Sequence, residues 1–156
     1  MIDLRYRPLP SEQASHLQAG SPDAYGNLPE RRVSDGAGVP CRHCLRMVEK
    51  GKPYLVLAYR PFSTLQPYAE TGPIFLHAEP CPAADEREFP PMLLESPDFI
   101  VRGYGPDERI VYGTGRVVPT DQIASRAGEL FAQDDVAFIH VRSARNNCYQ
   151  CRIERG

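Results

Sequence analysis

Val136-Ala137-Phe138-Ile139-His140-Val141-Arg142, then Ser143-Ala144-Arg145-Asn146-Asn147, then Cys148-Tyr149-Gln150-Cys151-Arg152-Ile153-Glu154-Arg155 form two alternating runs around a polar loop. This is the pattern of a β-hairpin. A loop over Ser143–Asn147 sets Arg142 opposite Cys148 and His140 opposite Gln150, and opposed residues share a face. One face then carries His140, Arg142, Cys148, Gln150, Arg152 and Glu154. The other carries Ile139, Val141, Tyr149, Cys151 and Ile153. Pairing Val141 with Cys148 instead mixes polar and apolar residues, so the first register is expected. It places Cys148, Arg142 and His140 in one polar cluster and turns Cys151 into the core.

Outward from the hairpin, Ile2–Arg7, Pro53–Tyr59 and Pro73–His77 read as strands, with Pro53–Tyr59 apolar on both faces as a central strand is. Phe99–Tyr104 and Arg109–Tyr112 flank Gly105-Pro106-Asp107-Glu108, a turn with proline well placed. Thr120 and Asp121 open a helix whose apolar residues Ile123, Ala127, Leu130 and Phe131 recur at helical spacing. A shorter helix starts at Ser11, with Ala14 and Leu17 inward. Sixteen prolines among 156 residues, about twice average usage, indicate long loops, chiefly over 20–40 and 79–98. The expected fold is α+β, a single domain over 1–156, with a largely antiparallel sheet and one or two helices.

Hydrophobic residues make up 42% and charged residues 24%, an ordinary globular composition. The formal net charge is −2 with the signs interspersed, so no nucleic-acid partner is expected. No apolar run approaches the ~20 residues of a membrane span. Met1-Ile2-Asp3-Leu4-Arg5-Tyr6 lacks the basic and apolar regions of a secretory leader, so a cytoplasmic location and no membrane partner are expected. There the five cysteines serve packing, metal ligation or reactivity instead of disulfides.

Cys41-Arg42-His43-Cys44 is the clearest motif. Thiols at this spacing hold one metal ion on a tight turn, form a redox pair, or supply a reactive thiolate. A zinc site needs two more ligands, for which Cys81, His43, His77 and Cys148 are available. Joining Cys41 and Cys44 to Cys148 and Cys151 fails on a regular strand, because side chains three apart point to opposite faces. A thioredoxin-type dithiol needs a following helix, and Leu45–Gly51 leaves little room for one.

Between two strands, Tyr59-Arg60-Pro61-Phe62 and Pro67-Tyr68-Ala69-Glu70-Thr71-Gly72 gather phenols, a guanidinium and a carboxylate, with His77 at the next strand's end. Such groups suit either the rim of a small-ligand pocket or a hydrogen-bonded turn. His140 and Cys148 pair an imidazole with a thiol, the elements of an activated nucleophile.

The chain resembles a bacterial family, domain of unknown function 1203, from about Val39 to the C-terminus. The resemblance rests on Pro40-Cys41-Arg42, Leu45, Gly51, Tyr59, Pro67-Tyr68, Gly72-Pro73-Ile74-Phe75, Arg102 with Tyr104, His140-x-Arg142-x-Ala144, Cys148-Tyr149 and Arg155. It implies that members keep a cysteine at Cys41 and Cys148 and match Cys44, Cys81 and Cys151 less regularly. A glycine often stands where this chain has Asn147. The resemblance implies no activity.

Two readings follow. In the preferred one, no cofactor is needed and a small anionic or thiol-reactive molecule binds a polar pocket. Cys148 and Cys41 are its thiols, His140 its base, and Arg42 and Arg142 its anion anchors, with Arg60, Tyr68, Glu70 and His77 at the rim. In the alternative, Cys41 and Cys44 hold structural zinc or simply pack, and the chain is a non-enzymatic interaction domain whose surface binds a protein partner. Oligomeric state is not legible.

Overall fold

The terminal hairpin sits in the middle of the larger of two sheets. A computed structural model describes residues 2–156. In chain order these form β1 (Leu4–Arg7), α1 (Ser11–Gln18), β2 (Glu30–Val33), β3 (Pro53–Tyr59), β4 (Gly72–His77), β5 (Asp98–Tyr104), β6 (Arg116–Pro119), α2 (Ile123–Phe131), β7 (Phe138–Ser143) and β8 (Tyr149–Arg155). Tight 3-10 turns cover Pro91–Glu95 and Thr120–Gln122. One sheet runs β1-β8-β7-β5-β6 and the other β2-β3-β4, with every strand pair antiparallel. The fold is α+β, as the hairpins and the two helical patterns imply.

α2 covers one face of the larger sheet. Ile123, Ala127, Leu130 and Phe131 are buried against Val101, Val118, Ile139, Val141, Cys151 and Ile153. Burial of each large aliphatic side chain contributes about 1.5–3 kcal/mol. A second core lies between α1 and the smaller sheet, where Ala14 and Leu17 meet Leu55, Leu57, Ile74 and Leu76. Cys41 and Cys44 belong to this second core.

Three readings change. β5 does not pair with Arg109–Tyr112, which makes only one bridge, Tyr104 to Ile110. Its neighbour is β6, in register over Asp98–Val101. The cause is Thr114, whose hydroxyl accepts the Gly103 N–H at 3.0 Å and donates to the Val111 carbonyl at 2.6 Å. The missing side chain of Gly103 favours this close approach, since a Cβ there would meet Thr114 at 3.2 Å, tighter than ordinary packing. Secondly, 20–40 contains β2, an edge strand exposed along its length and thus without an apolar alternation to read. Thirdly, the β7–β8 register shifts. Arg142 pairs with Tyr149 but Val141 with Cys151, so Gln150 is a bulge. Cys148 lies opposite Ser143, its carbonyl accepting the Ser143 N–H at 2.9 Å. Cys151 stays in the core as expected, while Tyr149 moves to the face of His140, where their rings lie 4.8 Å apart.

Arg42 ties the Cys41–Cys44 turn to this bulge. Its side chain donates to the Tyr149 carbonyl and the Pro40 carbonyl, each at 2.7 Å, and the residue is 2% exposed. β1 pairs only with Arg152–Arg155 and leaves that Tyr149 carbonyl to Arg42. Burial lowers the Arg42 pKa to about 10. With its Nε and Nη1 donors given to backbone carbonyls, Arg42 is a structural tie and not the anion anchor its sequence context suggests. A lysine cannot span both carbonyls. Arg42→Lys is expected to cost about 1–3 kcal/mol, the penalty of a buried acceptor losing its donor. Urea unfolding checks this, and a loss under about 0.5 kcal/mol, the usual surface value, would show that the tie is unimportant.

Candidate metal centre

The turn at Cys41–Cys44 is built by backbone. The Leu45 N–H donates to the Cys41 carbonyl and the Cys41 N–H to the Arg46 carbonyl, both at 2.9 Å. Leu45 takes a positive φ of 57°, unusual for a branched side chain. Its burial at 1% exposure fixes it there. The turn thus aims both thiols toward the end of β4, and the Cys41 sulfur accepts the His77 N–H at 3.3 Å.

Past β4 the chain runs Ala78-Glu79-Pro80 and returns with Cys81. One ligand atom from each of Cys41, Cys44, His77 and Cys81 lies within 4.8 Å of the other three. The Cys41 and Cys81 sulfurs are 3.9 Å apart, and the Cys44 sulfur is 3.5 Å from His77 Nδ1. A tetrahedral ion with Zn–S of about 2.3 Å and Zn–N of about 2.0 Å has edges of roughly 3.8 Å between sulfurs and 3.5 Å between sulfur and nitrogen. Both distances match these edges.

The surrounding groups fit the same use. His77 Nε2 meets Glu49 Oε2 at 3.1 Å, a carboxylate contact that leaves Nδ1 free to ligate. His43 bridges outward, with Nδ1 3.2 Å from the Cys81 sulfur and Nε2 2.9 Å from Ser11 Oγ. A groove of about 360 Å³ over Cys44, His77 and Cys81 opens the cluster to solvent.

Charge sharpens the case. Hydrogen bonds from Cys44, and then from Cys81, drive the Cys41 thiol far below its ordinary range. The Cys41 contact in turn raises Cys44 to about 11 and pushes Cys81 upward. His77 is raised, chiefly by its hydrogen bond with Cys41. Burial lowers His43. Ionising Cys41 thus opposes ionising the other two thiols, and a cation lets all three ionise.

The remaining sequence-derived residues divide among other places. Glu70, Arg142 and Cys148 come together at a cavity of about 200 Å³. Arg60 lines a larger cleft of about 660 Å³, and its Nε donates to the Phe62 carbonyl at 3.3 Å. Tyr68 pairs its hydroxyl with that of Tyr112 at 2.8 Å, away from both. His77 belongs to the thiol cluster and not to a pocket rim. His140 is fully buried in a cage of Phe62, Tyr104, Phe138 and Tyr149, with ring centres 4.7–5.2 Å away. Neither ring nitrogen has a hydrogen-bond partner among the described residues. The Cys148 thiol instead donates to the Asn146 carbonyl at 3.7 Å. The bulge has put Tyr149 beside His140, and the expected thiol–imidazole pair does not form.

Cys81, Glu49, Ser11 and His43 complete the centre. The legible signal is His77-x3-Cys81, the second half of a Cys/His ligand pattern with cysteine in the last place. Two strands separate it from Cys41-x2-Cys44 and hide the pairing.

The family described as a protein of unknown function (DUF1203) matches residues 38–155. The chain belongs to this family. No curated protein matches it, and neither does a solved structure.

His140 gives a pH prediction. Burial first, then Arg142, Arg152 and Arg102, hold its pKa well below the ordinary histidine value. A histidine kept neutral by the fold contributes stability that is complete above the unfolded pKa of about 6.5 and is lost as pH falls below it. His140→Leu is therefore expected to flatten the acid limb of a melting-temperature profile between pH 7 and 5, by up to about 1.4 kcal/mol per pH unit. The metal ligands are common to both proteins, so their titration cancels in the comparison. Parallel profiles would contradict the buried neutral state.

Proposed function

We propose that the domain holds one structural zinc ion through Cys41, Cys44, His77 and Cys81 and serves as a small-molecule-binding domain, not an enzyme. The observation that carries this is the convergence of four ligand atoms within 4.8 Å, three of them sulfur. Three thiolates and an imidazole favour zinc over the oxygen-preferring divalent ions. Four protein ligands close a tetrahedral shell, the mark of a structural and not a catalytic zinc. The ion joins the Cys41–Cys44 turn, the end of β4 and the proline-rich segment after it. The 660 Å³ cleft, lined by Tyr59, Arg60, Phe62 and Arg152 and reaching Ser11 beside the centre, offers the binding surface, within the usual range of about 300–1,000 Å³ for ligand pockets. Free cysteines in this number suit a reducing compartment such as the cytoplasm. The zinc is proposed for this chain and not for its whole family.

Metal analysis of purified protein and of single Cys→Ser variants tests the reading. Wild type, Cys148→Ser and Cys151→Ser should carry about one zinc per chain, and Cys41→Ser and Cys81→Ser much less. Loss of the ion should lower the melting temperature by roughly 10–20 °C, at about 2–4 °C per kcal/mol for a domain of this size. A Cys81→Ser protein that retains its full zinc, or a Cys41–Cys81 disulfide in freshly purified protein, would overturn it.

A further inference from the structure

Arg142 lies on β7, on the sheet face opposite α2. Its side chain is 5% exposed. Nη1 donates to the Asn147 carbonyl at 3.1 Å and lies 3.7 Å from Glu70 Oε2. Nε and Nη2 are buried and have no hydrogen-bond partner among the described residues. These two nitrogens form one edge of the planar guanidinium, the edge that grips a carboxylate with two parallel hydrogen bonds. Leaving two charged donors unmatched inside a protein is costly. Arg142 also lines the 200 Å³ cavity, together with Tyr59, Glu70, Asn147, Cys148 and Tyr149.

The charges around the cavity do not balance. Glu70 is its one carboxylate. It pairs with Arg102 at 2.5 Å and accepts from Asn147 Nδ2 at 3.0 Å. Against it stand Arg102 and Arg142, and behind Tyr149 the buried Arg42, which forms no ion pair with a described residue. His140 adds no charge, since burial keeps it neutral. Arg152 is matched by Glu154 at 2.6 Å. An anion beside Arg142 would neutralise the excess. The cavity is smaller than the ~300 Å³ at which pockets begin to enclose drug-sized ligands, so the anion must be small.

We propose that this cavity is a binding site for a small carboxylate, held by the Arg142 guanidinium as it turns its unmatched Nε/Nη2 edge toward the bound molecule, with the Cys148 thiol beside it. The site is independent of the metal centre. It differs from the nucleophile-and-base arrangement read from sequence, because His140 takes no part.

Cys148 makes the site testable with two alkylating probes that differ only in charge. Iodoacetate carries a carboxylate, and iodoacetamide is neutral. With either, the Cys148 sulfur displaces iodide, an S–C bond replaces the C–I bond, and the thiol proton goes to water. The rate at Cys148 is read by peptide mass mapping on metal-loaded protein, and again on protein unfolded in urea as the reference thiol. Folded wild type should favour iodoacetate over iodoacetamide by roughly tenfold or more relative to unfolded protein, the worth of a charge-assisted hydrogen bond. Arg142→Gln should abolish this preference while Cys148 still reacts with iodoacetamide. Propionate should protect wild-type Cys148 from iodoacetamide in a saturable way, a readout that stands even if Arg142→Gln does not fold. The same iodoacetate preference in folded and unfolded wild type, a preference that survives in folded Arg142→Gln, or no protection by propionate would overturn the proposal.

Discussion

Three sulfurs and an imidazole nitrogen brought within 4.8 Å of one another create an electrostatic problem that the rest of this structure is arranged around. Without a cation, ionising one sulfur opposes ionising its neighbours, so Cys41 is lowered while Cys44 is raised. The groups that create the problem come from three separate segments. Their meeting fixes the Cys41–Cys44 turn against the end of β4 and folds the segment of Pro80 and Pro82 back over both. From that turn Arg42 reaches into the bulge of β8 and ties the smaller sheet to the larger one. The β8 bulge then decides what the polar face of the larger sheet carries.

That face is unusual for its chemistry. Arg102, His140, Arg152 and Arg7 stand in one register row across four strands. Like charges side by side in a sheet repel. Here the repulsion is relieved by Glu70, Glu86 and Glu154, by the aromatic cage around a neutral His140, and by the guanidinium of Arg152 lying 3.7 Å from the centre of the Phe138 ring. Arg142, beside this row on β7, leaves both Nε and Nη2 without a hydrogen-bond partner among the described residues.

Periodicity makes much of the fold legible. β3, β4, α1 and α2 lie where apolar spacing places them, and Cys151 faces the core as the alternation requires. What periodicity cannot see is a bulge. One extra residue at Gln150 moves Tyr149 to the other face, and the site read from His140 and Cys148 depended on that one step. β6 was invisible for a different reason, since its partner is selected by the buried Thr114 and the missing side chain of Gly103. The metal centre was half legible. Cys41, Cys44, His77 and Cys81 were all identifiable as ligand types, but only the β3–β4 pairing and the return after Pro80 bring them together.

The central claim concerns the ligand set of one ion. X-ray absorption at the zinc edge of the purified protein tests it directly, because it counts the atoms bound to the metal. Three sulfurs at about 2.3 Å and one imidazole nitrogen at about 2.0 Å are predicted. A shell of four sulfurs, or one with an oxygen replacing a sulfur, would contradict the assignment to Cys41, Cys44, His77 and Cys81. So would purified protein with no zinc to measure.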